Sequence, residues 1–188
     1  MGIATGSTPT DVPSPPRSTT SATAASDRFL RIYMSDQLAL GVLWRELARR
    51  AEAGSDATAV RAALHRVATA IAEDVAVFEQ IMRRLGFSTR TPKVPLAVIA
   101  ERLGRLKPNG RLIRRSPLSG FVELDMLIMG IDGKVVLWQN LRDGAGLRSR
   151  LPDIDFDELI DRARCQRADL EPFHLQAARD TLRPADQH

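Results

Sequence analysis

Apolar residues recur at three- and four-residue spacing over four long stretches, the pattern of helices that each bury one face. In the first, from about Asp27 to Ala53, Phe29, Ile32, Tyr33, Leu40, Leu43, Trp44 and Leu47 define the face, and Asp36 falls on it between Tyr33 and Leu40. The second, from about Asp56 to Leu85, carries Val60, Leu64, Val67, Ile71, Val75, Phe78, Met82 and Leu85, with Asp74 inside the stripe and Glu73 beside it. The third, from about Pro117 to Arg142, is striped by Phe121, Leu124, Ile128, Ile131, Val135 and Trp138, flanked by Glu123 and Asp125. In the fourth, from about Asp153 to Arg183, the inward candidates are Phe156, Leu159, Ile160, Ala163, Leu170, Phe173, His174, Ala177 and Leu182.

The residues between these stretches set the connectivity. Gly54-Ser55 ends the first helix, and Ser55 or Asp56 is suited to cap the second. So short a link predicts an antiparallel hairpin. Gly86 is placed as the C-terminal cap of the second helix. Residues 87–116 hold Pro92, Pro95, Pro108 and Asn109-Gly110 around one short helical piece, from about Val94 to Leu106. A link of that length can cross a whole bundle. Ser116 and Pro117 suit the cap and first turn of the third helix, which Asp143-Gly144-Ala145-Gly146 ends. Gly130 and Gly133 lie mid-helix, each costing about 1 kcal/mol against Ala, so a close helix contact, a bend or fraying is expected there. Pro172 removes one backbone hydrogen bond and is expected to kink the fourth helix. The expected fold class is all-α: a four-helix bundle (27–184) with a long crossover containing a short helix. A disordered Ser/Thr/Pro/Ala-rich tail (1–26) precedes it and a short tail (185–188) follows.

Composition supports helices over a β-sandwich. Aromatic residues are only 5% of the chain, so Leu, Ile, Val and Ala must carry the packing. One cysteine, Cys165, rules out an intramolecular disulfide, fits a reducing compartment and reads as a half-buried helix residue beside Arg164 and Arg167. The N-terminal segment lacks a charged n-region and an apolar h-region, and no uncharged apolar run reaches bilayer length. A cytoplasmic protein without membrane insertion is expected.

A carboxylate that faces the middle of a bundle costs several kcal/mol unless it is paired, protonated or bound to a metal. All four stretches carry an acidic residue on or beside the apolar face, and the fourth contains Glu171-Pro172-Phe173-His174. Hairpin, long crossover and hairpin together resemble the ferritin-like superfamily, from about Asp27 to Arg183. The chain also resembles an actinobacterial branch of it that implies no specific activity. The residues concerned are Ala72-Glu73-Asp74, Leu106-Lys107-Pro108-Asn109-Gly110-Arg111-Leu112, and Ser116-Pro117-Leu118-Ser119 leading to Glu123-Leu124. In metal-binding members, helices 1 and 3 each give a Glu, and helices 2 and 4 each give Glu-x-x-His. By that resemblance Glu171 and His174 match the helix 4 motif, and Glu123 matches helix 3. Helix 1 offers the shorter Asp36, or Glu46 nearer the other end. Three residues after Glu73 stands Ala76, and three after Glu79 stands Met82, so the second imidazole is missing. A reduced site of Asp36, Asp74, Glu123, Glu171 and His174 would be oxygen-rich with one nitrogen, a set that suits Fe or Mn. The opposing expectation is that Asp36 and Asp74 pair with an arginine or reach a bundle end, and that His174 is a satisfied core histidine.

Charge is concentrated in the crossover. Arg102, Arg105, Lys107, Arg111, Arg114 and Arg115 against Glu101 give a local net of +5, whereas the whole chain nets +4. Such a patch can attract nucleic acid or another polyanion. It contains no aromatic residue to stack bases, so a solvated or internally paired surface is favoured. His65, His174 and His188 are the only histidines, no Gly-rich phosphate loop is present, and Lys134 reads as a lone cation, so metal-free catalysis is not expected. The preferred expectation is a non-catalytic interaction or scaffold bundle with no cofactor, acting through a homodimer or a protein partner. The alternatives are an Fe- or Mn-binding ferritin-like protein and an anion- or nucleic-acid-binding bundle.

Overall fold

The computed structural model describes residues 19–90 and 117–183, and these are helical with no strand among them. Helix α1 spans Thr19–Ala53, α2 Thr58–Arg84 and α3 Pro117–Gln139; α3 runs into a π-helical turn, Asn140–Gly144. A single turn, α4 (Leu147–Arg150), leads to α5, Phe156–Leu182. The expected crossover helix, the basic cluster Arg102–Arg115, Ser116, most of the N-terminal tail and the last residues lie outside the described residues.

Paired residues fix the helix directions. Along α1 and α2, Glu52 meets His65 (2.8 Å), Gly41 faces Val75, and Arg31 lies over the Phe87 ring just past α2, so the two helices are antiparallel. Arg50 with Glu123, Trp44 with Gly130, and Tyr33 with Asn140 set α3 antiparallel to α1. Asp125 with His174 and Asp132 with Arg167 set α5 antiparallel to α3. Arg66 with Asp169 and Arg84 with Asp153 set α5 antiparallel to α2. The order is therefore up–down–down–up. The end of α2 and the start of α3 lie at opposite ends of the bundle.

Local chemistry closes α2, turns the chain after α3 and starts α5. Leu85 closes α2, and Gly86 follows at φ +73°. Gly86 donates to the Arg83 carbonyl (3.0 Å) and Phe87 to the Met82 carbonyl (2.8 Å), a Schellman ending. Gly146, at φ +61°, reverses the chain after the π-helical turn. Asp155 caps α5 by accepting from the Glu158 N–H (3.0 Å). Asp153, the expected start of that helix, instead forms a two-pronged ion pair with Arg84 (2.6 and 2.7 Å), tying the end of α2 to the start of α5.

Four expectations are corrected. Helix α1 begins at Thr19, upstream of Asp27. Neither Ser55 nor Asp56 caps α2: Ala57 occupies the cap without a side-chain bond, and the Ser55 carbonyl accepts from Arg61 (2.8 Å). The buried face of α1 is rotated, with Met34, Leu38, Ala48 and Ala51 in the core, while Phe29 is 69% exposed. Cys165 is exposed, and so is Leu182. The stripes of α2 and α3 are buried largely as read, and α5 continues unbroken through Pro172.

The two mid-helix glycines of α3 differ in role. A Cβ at Gly130 would sit 2.7 Å from the Trp44 ring, so the missing side chain lets α1 approach α3. A Cβ at Gly133 would meet nothing within 4 Å. Gly130→Ala should lower stability by about 1–3 kcal/mol through overpacking. Gly133→Ala should raise it by up to about 1 kcal/mol through helix propensity. Urea unfolding of the two variants measures the opposite signs.

The ion-paired surface ties are acid-sensitive in a defined direction. The Arg84 guanidinium holds Asp153 below its ordinary value of 3.8, and Arg142 does the same to Asp143. A depressed folded value means that the unfolded chain takes up the proton first. The contribution is thus present above the unfolded value and lost as pH falls through the folded one. Wild type and Arg84→Ala should therefore differ in melting temperature by a constant amount above about pH 5, and the gap should shrink below about pH 4.

A buried ionic network beside an aromatic cleft

Asp74 is 3% exposed, in the middle of the α2 stripe. Periodicity placed it there, and three side chains from other helices make the position tenable. Lys134 of α3 donates to Oδ2 at 2.6 Å, Gln166 of α5 donates to the same oxygen at 3.0 Å, and Arg162 of α5 donates to Oδ1. Lys134 also donates to the Gln166 Oε1. Arg162 reaches outward to Glu73 at 3.9 Å. Burial pushes the Lys134 ammonium below the usual lysine range; the Asp74 charge and hydrogen bond oppose that push, and Arg162 adds to it.

Lys134 is therefore no lone cation, and Gln166, a polar residue at an inward α5 position, was not foreseen. The available signal was spacing: Arg162 and Gln166 stand four apart, on one face of α5. Which helix that face would meet is not written in local periodicity.

The other acidic residues are held elsewhere. Asp36 is exposed on α1. Glu123 is within 3.6 Å of Arg50. Glu171 accepts from Arg167 (2.8 Å), which also reaches Asp132 (3.0 Å). The His174 Nε2 lies 2.9 Å from Asp125 Oδ1, and its ring stacks on Phe121 with centroids 5.6 Å apart. Among the described residues no group of three or more His, Cys, Asp and Glu side chains is placed to hold a metal ion. Asp36, Asp74, Glu123, Glu171 and His174 thus take separate partners or positions along the bundle.

Above the network opens a cleft of about 390 Å³ between α1, α2 and α3. Asp74 and Lys134 lie on its wall, with Phe78, Leu127 and Gly133. The chain has two tryptophans and one tyrosine, and Trp44, Trp138 and Tyr33 all line this cleft. Trp138 is 1% exposed and packs at a tilt between Phe78 (5.8 Å) and Phe156 (6.5 Å), yet its indole N–H has no hydrogen-bond partner among the described residues. A buried orphan donor costs about 1–3 kcal/mol. At the rim, Met129 is 63% exposed and Val136 is also exposed. Apolar residues therefore surround α3 on nearly all sides, although one of its faces is open.

Breaking a buried pair on one side leaves an uncompensated charge. Asp74→Asn should cost about 3 kcal/mol, because Lys134 then stays buried without its carboxylate. Lys134→Met should cost less, since Arg162 still serves Asp74. The double variant should recover most of the loss, and a double-mutant cycle by urea unfolding reads the coupling.

No protein-family model matches the chain, and neither a curated protein nor a solved structure matches it.

Proposed function

We propose that this chain is a non-catalytic binding module built on a ferritin-like bundle, with the aromatic cleft between α1 and α3 as its working surface. The up–down–down–up order, with one long link between parallel helices, supports the ferritin-like reading. The observation that carries the function is the cleft itself. Its volume falls in the range of small-molecule sites, about 300–1,000 Å³, and it collects every Trp and Tyr in an aromatic-poor chain. Apolar side chains at the rim extend the same surface outwards.

The buried network supports a binding role over metal chemistry. Asp74 lies at the depth where a bundle metal would draw a carboxylate, and Lys134 and Arg162 already supply it with positive charge. With Gln166 they occupy its oxygens. Glu123, Glu171 and His174 face Arg50, Arg167 and Asp125, and Asp36 is exposed. No helix among the described residues is long and apolar enough to cross a membrane.

The test uses a neutral apolar dye, Nile red, with the full chain. One dye per chain is expected, weakened at least fivefold when Gly133→Leu adds bulk in the open space at the cleft wall. Absence of dye binding, or binding indifferent to Gly133→Leu, would overturn the reading. So would a full equivalent of iron or manganese that co-purifies without chelator and is lost on His174→Ala.

A further inference from the structure

A helix that is apolar on nearly all sides, as α3 is, is normally covered on all of them. Its inner sides meet α1 and α5, and its outer side carries Leu118, Met129 and Val136, all exposed. These three stand eleven and seven residues apart, so they fall within about 20° of one another around the helix. Val122 and Gly133 lie on the same side. Asp125 and Asp132 are drawn towards α5 by His174 and Arg167, and the outer row itself carries no charge. Helix α1 adds a second row beside it. Tyr33, Leu40 and Trp44 line the cleft, and Phe29, four residues before Tyr33, is exposed on the same side.

The order of these residues fits a copy of itself. Met129 stands four residues before Gly133, and Val136 three after it. Two α3 helices crossing antiparallel at Gly133 set Met129 of each chain against Val136 of the other, the reciprocal contact that a two-fold axis demands. A Cβ at Gly133 would meet nothing within 4 Å inside the chain, and its absence lets two backbones approach at the crossing. The ends match in the same way. Tyr33 is level with Asn140, so Phe29 lies towards the C-terminal end of α3, while Leu118 is at the N-terminal end. An antiparallel crossing, inclined as packed helices commonly are, brings Phe29 of one chain to Leu118 of the other. From Leu118 to Asn140 the face is about 33 Å long and, at two helices, about 20 Å wide, roughly 650 Å² in outline. A standard interface takes about 800 Å² of accessible surface from each partner.

We infer that the face formed by α1 and α3 pairs with a second copy of this chain, antiparallel about a two-fold axis at Gly133. The inference goes beyond the reading of the cleft, since it stands on the two outer rows and their symmetry. Tyr33, Trp44 and Met129 are residue types that interface cores favour, and Asp36, which borders the α1 row, falls at the polar rim.

Sedimentation equilibrium of the full chain should show two chains per particle at about 100 µM, dissociating on dilution. Met129→Glu and Val136→Lys should each weaken pairing about tenfold or more, because each seats two unpaired charges in an apolar seam. Both positions are exposed in the single chain, so neither variant should unfold it. Mixed one to one, the two variants should pair about tenfold or more tighter than either alone, since the new carboxylate of one chain then meets the new ammonium of the other. Leu175→Glu, at an exposed position of α5, should leave pairing unchanged. A monomer at every concentration, with the face covered by residues 91–116 or by another molecule, overturns the second copy. So does pairing that is indifferent to Met129→Glu or lost on Leu175→Glu, or a mixture that pairs no tighter than its parts. Nile red, added to chain diluted until single, reports on the cleft separately. Dye binding without a dimer removes the second copy and leaves the binding module standing; a dimer without dye binding does the reverse.

Discussion

The bundle depends on how it accommodates one buried carboxylate. Asp74 sits at the centre of the α2 stripe, where an unpaired charge would cost several kcal/mol, a large part of the margin by which a small domain is stable. Lys134 comes from α3, and Gln166 and Arg162 come from α5. Three helices must therefore be in register before the charge is satisfied. Apolar stripes allow neighbouring registers at similar cost, because one Leu can replace another in a hole. An ammonium and a guanidinium on one carboxylate do not slide that way. The network favours one alignment of α2, α3 and α5 over its neighbours, a role in specificity more than in net stability.

Helix α1 stands apart from that network, and the cleft follows from this. It buries Met34, Leu38, Ala48 and Ala51 in the core, and meets α3 closely where Gly130 admits the Trp44 ring. On either side of that contact the two helices are separated by large side chains, with Tyr33 reaching Asn140 at one end and Arg50 reaching Glu123 at the other. A single close approach propped by a tryptophan leaves space beside it. The open face of α3, with Met129 and Val136 outward, borders that space.

Much of this was legible in the chain, for a reason that also limits it. Period 3.6 reports which side of a helix is buried, so the stripes of α2 and α3, the position of Asp74 and the endings at Gly86 and Gly146 could be read directly. Helix α1 carries apolar residues on two sides, one for α2 and one for the cleft, and an average over both pointed its face between them. That average put Asp36 on the buried side, whereas it is exposed. Pairings are another matter. Lys134 lies 60 residues from Asp74 and Gln166 lies 92 away, and no local rule joins them. The acidic residues suggested a metal site because a carboxylate at depth needs positive charge. A lysine and an arginine meet that same need, and the sequence does not say which solution a bundle has adopted.

A lysine that meets a buried carboxylate leaves a different set of polar groups from those a metal would leave. A metal would organise carboxylates around itself and leave acceptors turned inward. An ammonium organises acceptors and has N–H groups to spare, since three donors exceed what one carboxylate oxygen and one amide oxygen take up.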